Sequence, residues 1–179
     1  MLIATERLVL RRFRSSDAET LAAYRSDPDV ARYQSWTAPV TLEQARAIVA
    51  SLAAGDPAQP GWFQYAIERT EDKAHIGDIG VDLHENRMRA EIGFTLATAY
   101  QGRGYAGEAV RAVLDHLFRV RGLHKVTAET DARNAASARL LERVGFTREG
   151  LLRSHTWIKN EWTDDAIYGL LADEWLLPR

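Results

Sequence analysis

Residues 100–109, YQGRGYAGEA, space Gly102, Gly104 and Gly107 as G-x-G-x-x-G. Where a loop opens a helix, glycines let backbone N–H groups approach a phosphate without a Cβ in the way. The helix dipole adds about half a positive charge at that end. Arg103 sits inside the motif and offers a cation. The chemistry on offer is anion binding. Three readings compete: a dinucleotide, another phosphate-bearing cofactor, or glycines that only make a tight strand-to-helix turn.

A dinucleotide turn places its first glycine almost at the strand end. Here TLATAYQ intervenes before Gly102. That reading also needs a second half of alternating strands and helices, and only 48 residues follow Asp131. One feature favours it: Glu129 ends the next strand, where a ribose-binding acid can lie. No G-K-[ST] follows the glycines, which excludes a Walker-type loop.

The elements that must position these residues follow from periodicity. ERLVLRRF alternates as a first strand, with Leu8, Leu10 and Arg12 on one side and Val9, Arg11 and Phe13 on the other. AETLAAYRS is a helix, SDPDVARY a turn and short helix. Thr41 and Gln44 form a capping box for LEQARAIVASLAA, which stops at Gly55. WFQYAIER, HIGDIGVDL and AEIGFTLA are strands joined as hairpins. After the glycine loop, Ala106, Ala109, Val110, Val113, Leu114 and Leu117 share one helical face. KVTAET is a strand. NAASARLLERV is a helix with Leu140, Leu141 and Val144 on one side, ended by Gly145. Residues 151–175 read as a terminal hairpin turning near KNE. The order predicts an α+β domain over residues 1–179, around one mixed sheet with a parallel crossover at 91–129.

Gln101, Gly104 and Ala106 also fit Q-x-x-G-x-A, and N-x-x-S with L-L-x-x-x-G-F follows about 30 residues later. With AEIGFTL before the loop, this chain resembles the GNAT superfamily of acetyl-CoA-dependent N-acetyltransferases. TERLVLR at the start and W-x-D…Y-x-L at the end resemble its ribosomal-protein alanine and serine branch (the RimJ/RimL-like enzymes). The resemblance runs from about Glu6 to Trp175. It implies a mostly antiparallel sheet of about seven strands with flanking helices and one splayed parallel pair.

The resemblance also implies roles. Residues 102–107, with Tyr105 among them, would hold the pyrophosphate of acetyl-CoA. Backbone groups of Phe94, Thr95 and Leu96 would pair with the pantetheine arm. Asn134 would reach a pantetheine amide, and it also suits the N-cap of its helix. Ser137 would meet the sulfur as acid or positioning group. Many relatives have a tyrosine seven residues after the asparagine; here that position is Leu141, which has no proton to give. Glu91 is the candidate base and substrate contact, with Glu129 as rival. The alternative for Glu91 is a strand-end carboxylate that is solvated or paired with Arg89. Tyr33 and Trp36 would wall the acceptor cleft or pack the helical arm.

Composition narrows the partners. A net charge of −2 gives no basic field for nucleic acid. No apolar run reaches spanning length, and MLIATERLVLRRF meets charge too early for a signal peptide. No cysteine is present, so no disulfide, thiolate metal site or acyl-cysteine forms. The expectation is a soluble cytoplasmic protein, with a homodimer left open. His75, His84, His116, His124 and His155 show no H-x-x-x-H spacing, so no metal is assigned. His75 and His84 are expected at the surface.

For the acceptor, an α-amine has a pKa near 8 and a lysine about 10.4. Near pH 7 roughly a tenth of α-amines are neutral, so deprotonating one costs about 3 kcal/mol less. A serine and one carboxylate suit a peptide or protein N-terminus, or a small amine. The alternatives are a non-catalytic acetyl-CoA-binding module and a dinucleotide-dependent oxidoreductase.

Overall fold

The structure is a computed structural model that describes residues 3–177. The strands are β1 (Ile3–Ala4), β2 (Leu8–Arg11), β3 (Gly61–Arg69), β4 (His75–Leu83), β5 (Arg89–Leu96), β6 (Lys125–Asp131), β7 (Thr147–Ile158) and β8 (Glu161–Leu171). The helices are α1 (Ala18–Ser26), α2 (Pro28–Ala31), α3 (Leu42–Ala54), α4 (Tyr105–Asp115), α5 (Ala135–Val144) and α6 (Ala172–Leu176).

Local chemistry sets these boundaries. Thr41 Oγ1 accepts the Gln44 N–H at 3.2 Å and Gln44 Oε1 accepts the Thr41 N–H at 2.8 Å, which closes the capping box of α3. Asn134 Oδ1 accepts the Ser137 N–H at 3.2 Å and starts α5. Between β7 and β8, Lys159 and Asn160 both take positive φ (49° and 64°), as a two-residue hairpin turn requires.

One sheet runs in the order β1-β2-β3-β4-β5-β6-β8-β7, antiparallel everywhere except between β5 and β6. This is the α+β architecture, one mixed and mostly antiparallel sheet with a single parallel pair, that the resemblance implied. A doubly wound dinucleotide fold would need a mostly parallel sheet.

Each face of the sheet carries a core. On one, Leu8, Leu10, Ile67, Ile79, Ile92 and Val126 pack with Ala109, Val113 and Leu114 of α4 and Leu141 and Val144 of α5. On the other, Phe13 and Ala66 pack with Leu21 and Tyr24 of α1 and Val49 of α3. Phe13 therefore lies opposite Leu8 and Leu10, as the alternation predicts.

The described residues form eight strands where about seven were expected, the two-residue β1 among them. Three expectations need correction. The terminal hairpin begins earlier, at Thr147, and its last residues are helical. Glu174 Oε2 accepts the Leu171 N–H at 2.8 Å, which caps α6 where the strand would otherwise continue. The helix after the glycine loop ends in a wider π-type turn, His116–Val120, that carries Leu117 and Phe118 into the core. His75 is not a surface residue. It is buried, its ring edge-on to Phe13 and Tyr24, with Nε2 2.9 Å from Gly77 O. Among the described residues no helix is long and apolar enough to cross a membrane.

Candidate active site

The site is organised by a gap in the sheet. β5 and β6 pair only at Arg89–Lys125, Ala90–Val126 and Glu91–Thr127. Beyond Glu91, β5 stays with β4 as far as Leu96, and β6 stays with β8 as far as Asp131. A wedge opens between them. The edge of residues 92–96 that faces β6 has no strand partner there. Phe94, Thr95 and Leu96 lie along it, and one of their groups is already used: Leu96 O accepts from Gln101 Nε2 at 2.9 Å.

Because β5 and β6 run parallel, the helices that follow them start at the same end of the sheet. α4 and α5 therefore flank the wedge with their N-termini, and Arg111 Nη2 ties them by donating to Arg143 O at 3.2 Å. Gly102 and Gly104 take φ of 72° and 82°, a conformation that costs any residue with a Cβ. Gly104 is the N-cap of α4. Gly107 is helical and has no such need; a methyl group there would meet the mobile end of Arg111 at 3.3 Å. The N–H groups of residues 102–107 donate to no turn, loop or side-chain acceptor among the described residues. They point outward from a helix start, the arrangement that binds anions.

Sequence spacing did not reveal Arg7 and Glu108. Glu108 lies in the first turn of α4, where its charge opposes an incoming phosphate. Arg7 Nε donates to it at 2.7 Å, the Arg7 N–H at 3.0 Å and the Thr5 hydroxyl at 2.6 Å. Burial pushes the Glu108 carboxyl up, but these donors outweigh it and hold the group below its ordinary value. Arg7 also covers the Tyr105 ring at 4.6 Å and donates to Arg103 O at 3.2 Å. Tyr105 is thus buried beneath Arg7 and brings only backbone to the loop, while Arg103 and Gln101 are exposed and Ala106 half-buried. The contacts join residues about a hundred positions apart, and no local pattern encodes that.

At the other helix start, Asn134 spends its oxygen on the N-cap bond and keeps its NH₂ donors. The half-buried Ser137 hydroxyl makes no hydrogen bond among the described residues. Leu141, by contrast, is 1% exposed and belongs to the core.

On the face of α1 and α3, but beyond their cover, Asp82, Glu91 and Thr127 stand in register across β4, β5 and β6. Glu129 follows two residues along β6 on the same face. Glu91 is half-buried, and burial first, then the charges of Glu129 and Asp82, push its carboxyl above the ordinary value. Arg89 does not pair with it; Glu91, Asp82 and Glu129 have no ion pair to Lys or Arg among the described residues. Glu129 is exposed and is also pushed up, by burial and by Asp165, against a downward pull from His155.

Glu129, His155 and Asp165 bring one ligand atom each within 4.8 Å of one another. Spacing along the chain hid this group. Asp165 Oδ2 is taken by the Thr156 hydroxyl at 2.6 Å, and the other two side chains are exposed, so the set lacks the closed, supported geometry of a metal centre.

Of the two aromatics expected at the acceptor side, Trp36 packs the helical arm. Its Nε1 donates to Arg25 O at 3.0 Å and the Arg25 guanidinium sits 4.4 Å from its ring. Tyr33 is half-buried beside Arg32 at 5.3 Å. Lys159, at the β7–β8 turn, reaches the carbonyls of Ala31 and Arg32 and pins the hairpin tip to this segment. The aromatic that stands in register with Asp82 is Trp62, on β3. The reading of WFQYAIER as a strand did not mark it as functional.

A family model described as the acetyltransferase (GNAT) domain matches residues 7–147. The Bacillus licheniformis protein called uncharacterized N-acetyltransferase p20 is 32% identical over 173 residues, covering 96% of each chain. The Escherichia coli ribosomal protein uS5-alanine N-acetyltransferase is 24% identical over 185 residues, covering 97% of this chain and 92% of its own. The crystal structure of a GNAT-family acetyltransferase from Bacillus anthracis superposes with a TM-score of 0.88 at 29% identity, over 97% of this chain and 99% of that one. The chain therefore belongs to the GNAT family of acetyltransferases and is an N-acetyltransferase.

Proposed function

We propose that the protein moves an acetyl group from acetyl-CoA to a primary amine, either a peptide or protein N-terminal α-amine or a small amine, by direct attack in a ternary complex. The observation that carries this reading is the three-residue pairing of β5 and β6, which leaves a wedge beside two helix N-termini. When bound, acetyl-CoA supplies the activated thioester. The backbone N–H groups of residues 102–107 hold its pyrophosphate, and the open edge of residues 94–96 takes the pantetheine arm. The Asn134 NH₂ donates to a pantetheine amide. The Ser137 hydroxyl aligns the sulfur. Glu91 accepts the ammonium proton; its raised value brings it closer to the pKa of an α-amine, which suits a general base.

No acyl-enzyme is needed. The chain has no cysteine, and no His or Asp hydrogen-bonds to Ser137 to activate it. The same reading takes residues 1–179 as one domain working in the cytoplasm on an amine, not on nucleic acid or a membrane. Relatives named for a ribosomal protein favour a protein N-terminus among the acceptors. The test is a turnover screen with acetyl-CoA across peptide N-termini, polyamines and aminoglycosides, read by thiol release. Acetylation of at least one amine is expected. Binding of coenzyme A with every amine left unmodified would reduce the protein to a binding module.

A further inference from the structure

We propose that Trp62 is the specificity-determining residue of the acceptor site, and that its indole takes a second positive charge carried by the acceptor beside the amine that reacts. The proposal deepens the function just given and rests on it. Trp62 is 56% exposed, yet it is not a loose surface side chain. A methyl group built on Gly80 would lie 3.0 Å from Trp62 Cζ3 and 3.1 Å from Cε3, and one on Gly93 would lie 4.0 Å from Cη2. The ring therefore lies over two glycines that stand in register, and it reaches from β3 across β4 to β5. Neither glycine has the left-handed backbone that would explain it; what they provide is room for the ring. Gln64 is fixed beside it. Its Nε2 donates to Asp78 at 2.6 Å, which leaves Oε1 above Gly80 as an acceptor.

The ring tip over Gly93 is two residues from Glu91, about 7 Å along the strand. An amine at Glu91 thus has an indole as its neighbour. The reacting nitrogen gives up a proton to Glu91 before attack, which leaves both neutral. Asp82 and Glu129 remain, without an ion pair to Lys or Arg among the described residues. A second cation on the acceptor meets those carboxylates and the electron-rich ring face, the geometry of a cation–π contact. The substrate class is a primary amine with another positive charge a few ångströms away: a polyamine, or a peptide whose N-terminal residue is followed by Lys or Arg.

The test compares kcat and KM for matched peptides with one common first residue followed by Lys or by Glu, and for a diamine against a monoamine of equal length. The two pairs separate the peptide and polyamine sources. Wild type is expected to favour the dicationic member of at least one pair about tenfold in kcat/KM. Trp62→Leu should lose that preference through KM, and Trp62→Phe should keep most of it. Gly80→Ala, which tilts the ring without removing it, should fall between, and all three should bind coenzyme A as wild type does. Equal use of mono- and dicationic amines by wild type, or equal KM for the Leu and Phe variants, overturns the proposal and leaves the transferase reading standing. A wild type inert toward every amine overturns both.

Discussion

Under α1, Arg11 grips Asp17 with two bonds of 2.8 Å and Glu68 with one of 2.5 Å, and none of the three is more than 6% exposed. On the same sheet face, past the helices, Asp82, Glu91 and Glu129 stand together with no Lys or Arg paired to them among the described residues. The first group is charge matched to charge, with His75 and Tyr24 packed around it. The second is like charge gathered at the mouth of a wedge. Buried charge is tolerated when paired and hydrogen-bonded. Carboxylates without a cation partner, gathered so that Glu129 and Asp82 add to the burial that raises Glu91, have no such structural use, and they concentrate where a site needs a base.

Breaking the matched group should have the largest effect. Asp17→Leu leaves the Arg11 guanidinium half-partnered in the interior and should cost about 3–5 kcal/mol of stability, read by urea unfolding. Burial raises the Asp17 carboxyl, but bonds from Arg11 and the Arg14 N–H outweigh that and hold it low. Its contribution is therefore present above its unfolded value, near 4, and is lost as pH falls through the lower folded value. Coenzyme A affinity of the folded fraction should not change.

Glu91→Gln should do the reverse. Turnover should fall about a hundredfold, most of all at low pH where neutral amine is scarce. The fold should be as stable or more so at neutral pH. A raised folded value means the ionised form weighs against folding, a burden that disappears as pH falls through that value. A pH–rate profile that overlaps wild type would pass the role to Glu129.

Glu129→Gln sharpens the same contrast. Removing its charge should lower the Glu91 value and move the acid limb of kcat/KM to lower pH, with the plateau little changed. An unmoved limb would mean that the two carboxylates do not sense each other. Ser137→Ala should matter least. An aligning hydroxyl contributes about 0.5–1.5 kcal/mol, a two- to tenfold loss in kcat. A loss beyond a hundredfold would make Ser137 the acid that Leu141 has no proton to be.

What the sequence made legible divides along the same line. α3 matches its expected span because Thr41, Gln44 and Gly55 mark it locally. The positive φ of Gly102 and Gly104, the N-cap at Asn134 and the parallel crossover were likewise readable from short patterns. The rest depends on pairs far apart in the chain. Arg7 neutralises Glu108 across 101 positions, and Arg11 reaches Glu68 across 57. His75 looks like a strand-end surface residue until α1 covers it. Trp62 reads as one aromatic in a strand until Gly80 and Gly93 come to lie beneath it. α6 escaped notice because five residues after a strand carry little periodic signal, and a Glu174 bond to Leu171 decides them.

On the proposed function, the glycine loop at the start of α4 holds the coenzyme. Nothing lies within 4 Å of a methyl group built on Gly102, so a side chain there would enter open space at the loop, where the proposal puts the phosphates. Calorimetric titration of coenzyme A into Gly102→Val, with urea unfolding alongside, isolates that space. The strain of a β-branched residue at φ 72° should cost about 1–3 kcal/mol of stability and leave the protein folded. Affinity for coenzyme A should fall at least about tenfold, which is about 1.4 kcal/mol. A folded variant that binds coenzyme A as tightly as wild type would mean that this loop does not hold the coenzyme.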